Sequence, residues 1–335
     1  GCIVAAVLIN AIAALAAAVA ILVIFAYTER RVLTTTFGDA RRGFFYSRAR
    51  TNLFKLSALA PHPKNWRPTT LVLSGNPASR RTLAVFAMWL EARRGIVTLA
   101  EVLIGDFHEL LKTRRGAQDR LDDYIDTNGL EAFSEVLVAR SFDDGMASLL
   151  QTHSIGPLKP NLVMMGWPGD TSRAVPFSRL LRLSAELNMS QIVIVDRGLP
   201  PPISDKRIDI WWRGQDNGSL MVILAYLLTL NWEWSGATLR VLRLVGPDES
   251  EQAARDEIST LIDAARLVVE ILLVHESTII EAVERHSADA SVVFLGFRPP
   301  SDEQAESYHA SFKRLTAHLP TTLLIASSGE ANLLA

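Results

Sequence analysis

The sequence predicts an α/β protein: an N-terminal transmembrane helix followed by two lobes, each a doubly wound parallel sheet. Three observations predict this fold class. The chain starts with an uncharged apolar run, a basic segment follows it, and short apolar runs then alternate with helix-patterned segments to the end. The 335 residues, 49% of them hydrophobic and 21% charged, are enough for one large or two medium domains.

A membrane span is predicted over residues 1–28. Residues 1–27 carry no charge, and Asn10 is the one strongly polar residue between Ile3 and Tyr27. A helix over that run would be about 37 Å long, against roughly 30 Å for the hydrocarbon core of a bilayer. A cleaved signal peptide and a buried soluble helix are the alternatives. No basic residue precedes the run, which argues against a signal peptide, and soluble helices of such length rarely lack charge.

Charge is spread unevenly along the chain, although the total is only −2. Residues 28–67 hold nine lysines and arginines against two acidic residues, so the rest of the chain is net negative. The positive-inside rule puts this basic side in the cytoplasm. We therefore expect a cell (plasma) membrane protein with residues 29–335 cytoplasmic. Because the chain starts without a methionine, we also expect it to be a piece of a longer protein.

A basic amphipathic connector helix is predicted over residues 29–60, where aromatic residues alternate with arginines. We expect anionic lipid to bind near four arginines, with each positive charge contributing about 1 kcal/mol to the attraction. These are Arg30, Arg31, Arg41 and Arg42. The alternative is that this face packs on the chain's own cytosolic domain. Pro61 and Pro63 end the helix.

The first α/β lobe is predicted over residues 61–197, from apolar runs alternating with helical spacing. Its predicted strands are 69–73, 96–104, 132–139, 162–165 and 191–195. Its predicted helices are 78–93, 118–128, 143–153 and 173–188, with Asp143 as the N-cap of the third.

A proline-rich linker at residues 198–205 leads to the second lobe, residues 206–335. Its predicted strands are 208–212, 238–244, 267–274, 291–296 and 322–326, and its predicted helices are 219–230, 248–265, 277–286 and 302–318. Strands that alternate with helices predict parallel pairing, and uninterrupted apolar strands predict a sheet covered on both faces. Whether the lobes are related halves stays open, since no sequence repeat is evident.

No enzyme chemistry and no metal site are predicted. The seven histidines form no pair at metal-ligand spacing, and we expect them at the surface. The single cysteine, Cys2, excludes an internal disulfide. Neither common phosphate-binding motif occurs, nor does a nucleophile elbow. The globular part is acidic, so we predict no nucleic-acid partner.

Two strand-to-helix turns are the candidates for an anion or nucleotide site. Their candidate residues are Gly75 and Asn76 in the first turn, and Gly166, Gly169 and Thr171 in the second. Both turns follow the carboxyl end of a strand and precede a helix, where ligands bind in such sheets. Ordinary tight turns are the alternative. We expect no cofactor unless these turns bind ATP.

The second turn resembles the nucleotide loop of universal stress proteins in its Gly166-x-x-Gly169 spacing. It departs from that loop further on, since Arg179 and Leu180 stand where the motif has Gly-Ser. Four tryptophans flank the helix predicted at 219–230, namely Trp211, Trp212, Trp232 and Trp234. We expect them in the core, and a dimer contact is the alternative.

Several segments resemble the C-terminal region of the cation–chloride cotransporter family, also called solute carrier 12. Phe37-Gly38-Asp39 resembles the family's Trp-Gly-Asp, and Lys64-Asn65-Trp66-Arg67-Pro68 resembles Asn-Trp-Arg-Pro-Gln. Asp209-Ile210-Trp211-Trp212 and Asp216-Asn217-Gly218, then Ala225-Tyr226-Leu227-Leu228 and Leu239-Arg240-Val241, follow the family's further motifs in order. Phe37, Thr69, Asn217 and Ser219 depart from the family pattern. The long phosphorylated insertions of animal members are absent, which indicates a compact prokaryotic type.

This resemblance implies a symporter that moves chloride with potassium or sodium through twelve membrane helices, the last of which is the predicted span. It implies a regulatory domain that forms a homodimer through its cytosolic lobes and acts on its own upstream membrane bundle. The family's ion-binding residues lie on earlier helices, so none is assigned here. The alternative function is a membrane-tethered nucleotide-sensing domain of the universal-stress type.

Overall fold

The computed structural model describes residues 10–30, 40–202 and 205–333. The chain divides into two compact units, Gly1–Leu59 and Ala60–Ala335. The first unit contains helices α1 (Ala11–Arg30) and α2 (Ala40–Ser57). The side chain of Asn10 accepts hydrogen bonds from the N–H groups of Ile12 and Ala13 and so caps the start of α1.

Helix α1 covers most of the predicted span. All of its large apolar side chains from Ile12 to Tyr27 are at least half exposed in this unit. In the described ranges, no helix combines the length and the apolar character needed to cross a membrane. Residues 1–9 of the predicted span lie outside those ranges.

Helix α2 falls within the predicted connector, whose residues 31–39, including Arg31 and Phe37, lie outside the described part of the chain. None of its residues is buried. Phe44 and Phe45 meet edge to face with ring centroids 5.6 Å apart, and the guanidinium of Arg50 lies 5.0 Å from the ring centroid of Phe54. Aromatic and basic groups therefore share the surface of this helix.

The second unit has a ten-stranded sheet to which two halves of the chain contribute equally. The first half supplies β1 (Thr69–Val72), β2 (Ile96–Ile104), β3 (Ala132–Ala139), β4 (Leu162–Gly166) and β5 (Ser190–Val195). Helices α3 (Arg81–Glu91), α4 (Phe107–Thr127), α5 (Phe142–Thr152) and α6 (Ala174–Glu186) connect these strands.

The second half repeats this alternation. Its strands are β6 (Arg207–Trp211), β7 (Thr238–Leu244), β8 (Glu270–Val274), β9 (Val292–Gly296) and β10 (Thr322–Ala326). Its helices are α7 (Gln215–Thr229), α8 (Glu251–Ala265), α9 (Ile279–Ser287) and α10 (Ala305–Leu315).

The strand order is β3-β2-β1-β4-β5-β10-β9-β6-β7-β8. Pairing is parallel within each half, and the halves meet where β5 and β10 pair antiparallel, with Val195 opposite Thr322. Each half has its strands in the order third, second, first, fourth, fifth, and equivalent helices pack together, α3 on α7 and α6 on α10. The α/β prediction is confirmed, but the two separate sheets that were predicted form one sheet, joined by this antiparallel pair. The relation between the halves that the sequence left open is present in the topology.

Two apolar clusters cover the sheet. Along β5, Ile192 and Ile194 belong to one cluster, whereas Val193 and Val195 belong to the other. Because successive side chains on a strand point to opposite faces, the clusters lie on opposite sides of the sheet. Both faces are therefore buried, as the uninterrupted apolar strands predicted.

The helix start predicted at residue 118 and the N-cap predicted at Asp143 are both wrong. Helix α4 begins at Phe107 rather than at residue 118, and the carboxylate of Asp106 caps it by accepting from the N–H groups of His108 and Glu109. These hydrogen bonds lower the pKa of Asp106. Helix α5 is capped by the Ser141 hydroxyl, 3.1 Å from the Asp144 nitrogen, and not by Asp143. Ser141 has the extended backbone of an N-cap, whereas Asp143 already lies in the first turn.

Candidate functional site

A cleft of about 990 Å³ lies at the carboxyl ends of strands in the first half of the sheet. Gly75, Gly166 and Gly169 all line it, so the two predicted turns meet at one place. The other two predicted residues do not line it. Asn76 instead accepts from the Ala78 N–H at 3.1 Å, and Thr171 begins a 3-10 turn, Thr171–Arg173.

The first turn, which follows β1, contains a residue with a left-handed backbone conformation. Gly75 has φ of +56°, which favours glycine, and its N–H donates to the carbonyl of Ala100 at 3.0 Å. Ser74 beside it is fully buried, and its hydroxyl donates to the Gly75 carbonyl at 3.2 Å. The backbone of this turn is therefore held firmly at the cleft wall.

The second turn is held from both halves of the sheet. The Trp167 N–H donates to the Ile194 carbonyl at 2.8 Å, which continues the pairing of β4 with β5. Asp170 accepts from the Ser172 N–H at 3.0 Å, and its hydrogen bonds with the backbone and side chain of Ser172 lower the pKa of Asp170. From the second half, His309 on α10 reaches the Pro168 carbonyl at 2.7 Å.

His309 is only 2% exposed, so the prediction of surface histidines is wrong for this residue. Its ring stacks on Trp167 with centroids 4.8 Å apart and planes 14° from parallel. Because a carbonyl can only accept, Nε2 carries the proton in the bond to Pro168. Nδ1 is then a bare acceptor, and it has no partner among the described residues.

The cleft carries more positive than negative charge. Four cationic residues line it, against two acidic ones, Asp143 and Asp196. The cationic residues are Arg80, Arg173, Arg197 and Lys313. Lys313 lies on α10, so the second half of the chain completes the wall. Such a set of cations suits phosphate or carboxylate groups.

The rest of the cleft wall is apolar. Ile104, Phe142, Met146 and Met165 are among the lining residues. Phe142 and Ile104 remain 45% and 50% exposed, so they can contact a flat, apolar part of a ligand. The site therefore combines apolar surface with anion-binding groups, as small-molecule sites do.

The halves are joined beside the cleft through helix α6. The Ser178 hydroxyl and the Arg182 guanidinium both donate to the Pro300 carbonyl, at 2.8 and 2.7 Å. Arg182 and Arg179 also pair with Asp302, and the hydrogen bonds from Arg182 and Arg179 lower the pKa of Asp302. Since α6 also lines the cleft through Leu180, a ligand there would be sensitive to this joint.

The tryptophan-rich segment of the second half lies in the core, as predicted for three of its four tryptophans. Trp211, Trp212 and Trp234 are at most 3% exposed, but Trp232 is 83% exposed. A Cβ on Gly218 would lie 2.1 Å from the Trp212 ring, so the glycine is needed for that packing.

Gly296 ends the fourth strand of the second half, as Gly166 ends the fourth strand of the first half. The space beside Gly296 is filled by the Asn217 side chain. The Asn217 amide donates to the Phe297 carbonyl at 3.0 Å and accepts from the Ser327 N–H at 2.8 Å. Asn217 also lies against Gly296, where an added Cβ would be 3.0 Å from its nitrogen. The two halves share a topology but differ at this position.

No metal site emerges from the described residues. They contain no group of three or more His, Cys, Asp or Glu side chains arranged to hold a metal ion. Among the acidic residues, Asp122 accepts from the Ser134 hydroxyl, which ties α4 to the edge strand β3. Asp122 therefore has a structural role.

Comparison with known proteins supports the resemblance found in the sequence. The family described as Solute carrier family 12 matches residues 80–176. Cation-chloride cotransporter 1 of Oryza sativa subsp. japonica is 26% identical over 313 residues, which cover 88% of this chain and 31% of that protein. The chain thus spans less than a third of the length of this relative.

Two solved structures share the fold. The cytoplasmic domain of a prokaryotic cation chloride cotransporter matches 80% of this chain and 99% of its own, with a TM-score of 0.59 and 18% identity. A universal stress protein from Archaeoglobus fulgidus DSM 4304 matches 77% of this chain and 96% of its own, with a TM-score of 0.51 and 12% identity. These matches confirm the predicted resemblance: the chain is similar to Cation-chloride cotransporter 1 and has the fold of the cytoplasmic domain of a prokaryotic cation chloride cotransporter.

Proposed function

We propose that this chain is the C-terminal regulatory and dimerisation region of a secondary-active symporter that moves chloride with potassium or sodium. The similarity to Cation-chloride cotransporter 1 over 88% of the chain carries this proposal. Because that match covers 31% of the relative, the ion pathway and its coordinating residues would lie in the part that this chain does not match.

Transport by the longer protein that this proposal implies tests the function directly. That protein, purified and reconstituted in liposomes, should take up rubidium, a potassium analogue, or sodium only when chloride is present. Replacing chloride by gluconate is the matched control, since it keeps cation and osmolarity constant. Uptake that is equal in chloride and gluconate would refute the symporter.

The membrane anchor belongs to the same proposal. The uncharged run of residues 3–27 includes the apolar part of α1, whose side chains Ile12, Leu15 and Phe25 are 82%, 67% and 64% exposed. Burying such side chains in lipid would contribute about 1.5–3 kcal/mol each. The protein should stay in the pellet after alkaline carbonate washing, and release into the supernatant would contradict a spanning helix.

The connector would place its basic surface at the cytoplasmic leaflet. Arg41, Arg42, Arg48, Arg50 and Lys55 are all exposed on α2, next to exposed aromatic rings. Anionic lipid attracts such segments, and salt screens the attraction. Residues 29–335 would then be cytoplasmic.

Trp232 supports the dimer. At 83% exposure it is among the most exposed large apolar residues in the second unit, and exposed tryptophans are enriched among residues that dominate interfaces. Trp232→Ala should shift the protein toward monomer in light scattering. The buried Trp234 lies two residues away and belongs to the core.

A second candidate function is nucleotide sensing, which the cleft favours specifically. It brings together both predicted turns and four cationic side chains beside an apolar wall. ATP should bind the 335-residue chain, and Arg173→Gln should weaken binding more than Arg255→Gln, at an exposed site outside the cleft. Absence of binding heat and of a melting shift would remove this candidate.

A further inference from the structure

A second cavity, of about 270 Å³, lies beside the Asn65-Trp66-Arg67-Pro68 segment and shares no lining residue with the cleft. Its walls are formed by this segment, by α7, by the end of α8 and by the last described residues of the chain. We propose that it binds a small organic carboxylate with a compact apolar body. Nothing in the proposed transport function requires such a site.

The backbone of this segment is held by a closed set of hydrogen bonds. The Trp66 N–H donates to the Pro63 carbonyl at 3.1 Å. Asn161 accepts from the Thr69 N–H at 2.9 Å and donates to the Arg67 carbonyl at 2.8 Å. The Arg67 guanidinium itself donates to the Trp66 carbonyl at 2.7 Å. Trp66 and Arg67 therefore lie on a preformed backbone, which lowers the entropy cost of binding.

A glycine brings a second arginine to the rim. A Cβ on Gly95 would lie 2.2 Å from the Pro68 carbonyl oxygen, so the turn between α3 and β2 fits against the segment only as glycine. The Ile96 N–H donates to the same carbonyl at 2.9 Å. This close approach places Arg94, next to Gly95, on the lining of the cavity together with Arg67.

The charged side chains that line the rim of the cavity are positive. Lys64, Arg67 and Arg94 line the cavity and are exposed, and its described lining residues include no aspartate or glutamate. None of the three pairs with a described acidic residue. Their charges are thus available to an anion, unlike Arg182 at the joint between halves, which is paired with Asp302.

The floor of the cavity is apolar. Val222, Ile223, Tyr226 and Leu227 of α7 contribute to it. The indole N–H of Trp66 is buried without an acceptor among the described residues and is not accessible to a ligand. The floor therefore suits the apolar body of the ligand, and the rim charges select its carboxylate.

The volume limits the size of the ligand. A cavity of 270 Å³ lies at the lower end of the roughly 300–1,000 Å³ of small-molecule sites. It suits one ring or a short branched chain, and it is much smaller than the cleft of about 990 Å³. A nucleotide therefore fits the cleft, and a small amphipathic carboxylate fits this cavity.

The proposal is tested by titrating 3-phenylpropionate into the full 335-residue chain in lipid nanodiscs and measuring the heat of binding. The heats measured with empty nanodiscs are subtracted. The neutral analogue 3-phenylpropionamide has the same apolar body and is the matched ligand control. We expect the carboxylate to bind at least 10-fold more tightly than the amide, because only it meets the rim charges. Equal affinities for the two compounds would overturn the proposal.

Three variants assign the binding to the cavity. Arg94→Gln should weaken the carboxylate at least 5-fold and leave the amide unchanged, whereas Arg255→Gln on the exposed face of α8 should change neither. If Arg173→Gln, in the cleft, weakened binding while Arg94→Gln did not, the ligand would occupy the cleft and the proposal would fail.

Discussion

The guanidinium of Arg240 donates two hydrogen bonds to the carboxylate of Asp209, with nitrogen–oxygen distances of 2.9 and 2.7 Å. Asp209 is fully buried and also accepts from the Ser287 hydroxyl at 2.7 Å. That hydroxyl in turn accepts from the Trp211 indole at 3.0 Å. The cluster joins β6, β7 and α9, so the Asp-x-Trp-Trp segment has a structural role in the second half.

Breaking the ion pair between Arg240 and Asp209 should destabilise the folded protein. Asp209→Asn leaves the half-buried guanidinium of Arg240 without its counter-charge, and we expect a loss of about 3–5 kcal/mol in the free energy of unfolding. Urea denaturation followed by tryptophan fluorescence measures it. Asp289→Asn is the control, since the Asp289 side chain is 78% exposed in its pair with Arg207 and should contribute less than about 1 kcal/mol. Equal losses in the two variants would contradict the interpretation.

The close approach at Gly95 gives a second prediction. Gly95→Ala puts a Cβ 2.2 Å from the Pro68 carbonyl oxygen, and backbone must shift to relieve it. We expect destabilisation of about 1–3 kcal/mol. Gly246→Ala is the matched control, because no atom lies within 4 Å of its added Cβ. The free energy of unfolding of this variant should stay within about 0.5 kcal/mol of the wild-type value. Similar melting temperatures for both variants would disprove the constraint.

The joint between halves should depend on pH through Asp302. The pKa of this carboxyl is lowered from 3.8 by hydrogen bonds from Arg182 and then Arg179. A lowered folded-state pKa means that the charged form stabilises the fold above pH 3.8 and that this contribution is lost as pH falls through the folded value. Asp302→Asn should therefore be less stable than the wild type at pH 7, and the difference should shrink below pH 3.8. A difference that stayed constant with pH would exclude the charge as its cause.

His309 should control the cleft from the other half of the chain. His309→Phe keeps a ring to stack on Trp167 but removes the donor to the Pro168 carbonyl at 2.7 Å. Without it the second turn loses an anchor, so the melting shift produced by ATP should decrease. His318→Phe, at an exposed site three residues after the end of α10, is the control and should keep the full shift. This prediction rests on nucleotide binding, and an undiminished shift in His309→Phe would reject the positioning role.

The sequence predicted the strands better than the way in which they assemble. The bounds of β2, β3, β7 and β10 agree residue for residue with the apolar runs, because turn residues flank each run. The first half of helix α4 was missed, since that half is charged and only Ala117, Leu121 and Ile125 of the helix are buried. Tertiary packing, which periodicity does not encode, stabilises this helix.

The continuous sheet was not predictable for a related reason. Periodicity indicates which residues form a strand and which face is buried, but not which strand edges meet, so the antiparallel pairing of β5 with β10 left no local signal. The same holds for the cleft. Its turns follow from the rule for strand ends, whereas Lys313 and His309 come from more than 100 residues further along the chain.

Transport by a variant of the connector tests most directly whether this chain regulates a cotransporter. Phe45→Pro breaks α2 in its interior, at a cost of about 3 kcal/mol to the helix, while Phe45→Leu preserves helix and apolar character. We predict that chloride-dependent rubidium uptake per protein molecule changes several-fold in Phe45→Pro and stays at the wild-type rate in Phe45→Leu. If flux and dimerisation were both unchanged in Phe45→Pro, the connector would not couple this region to transport.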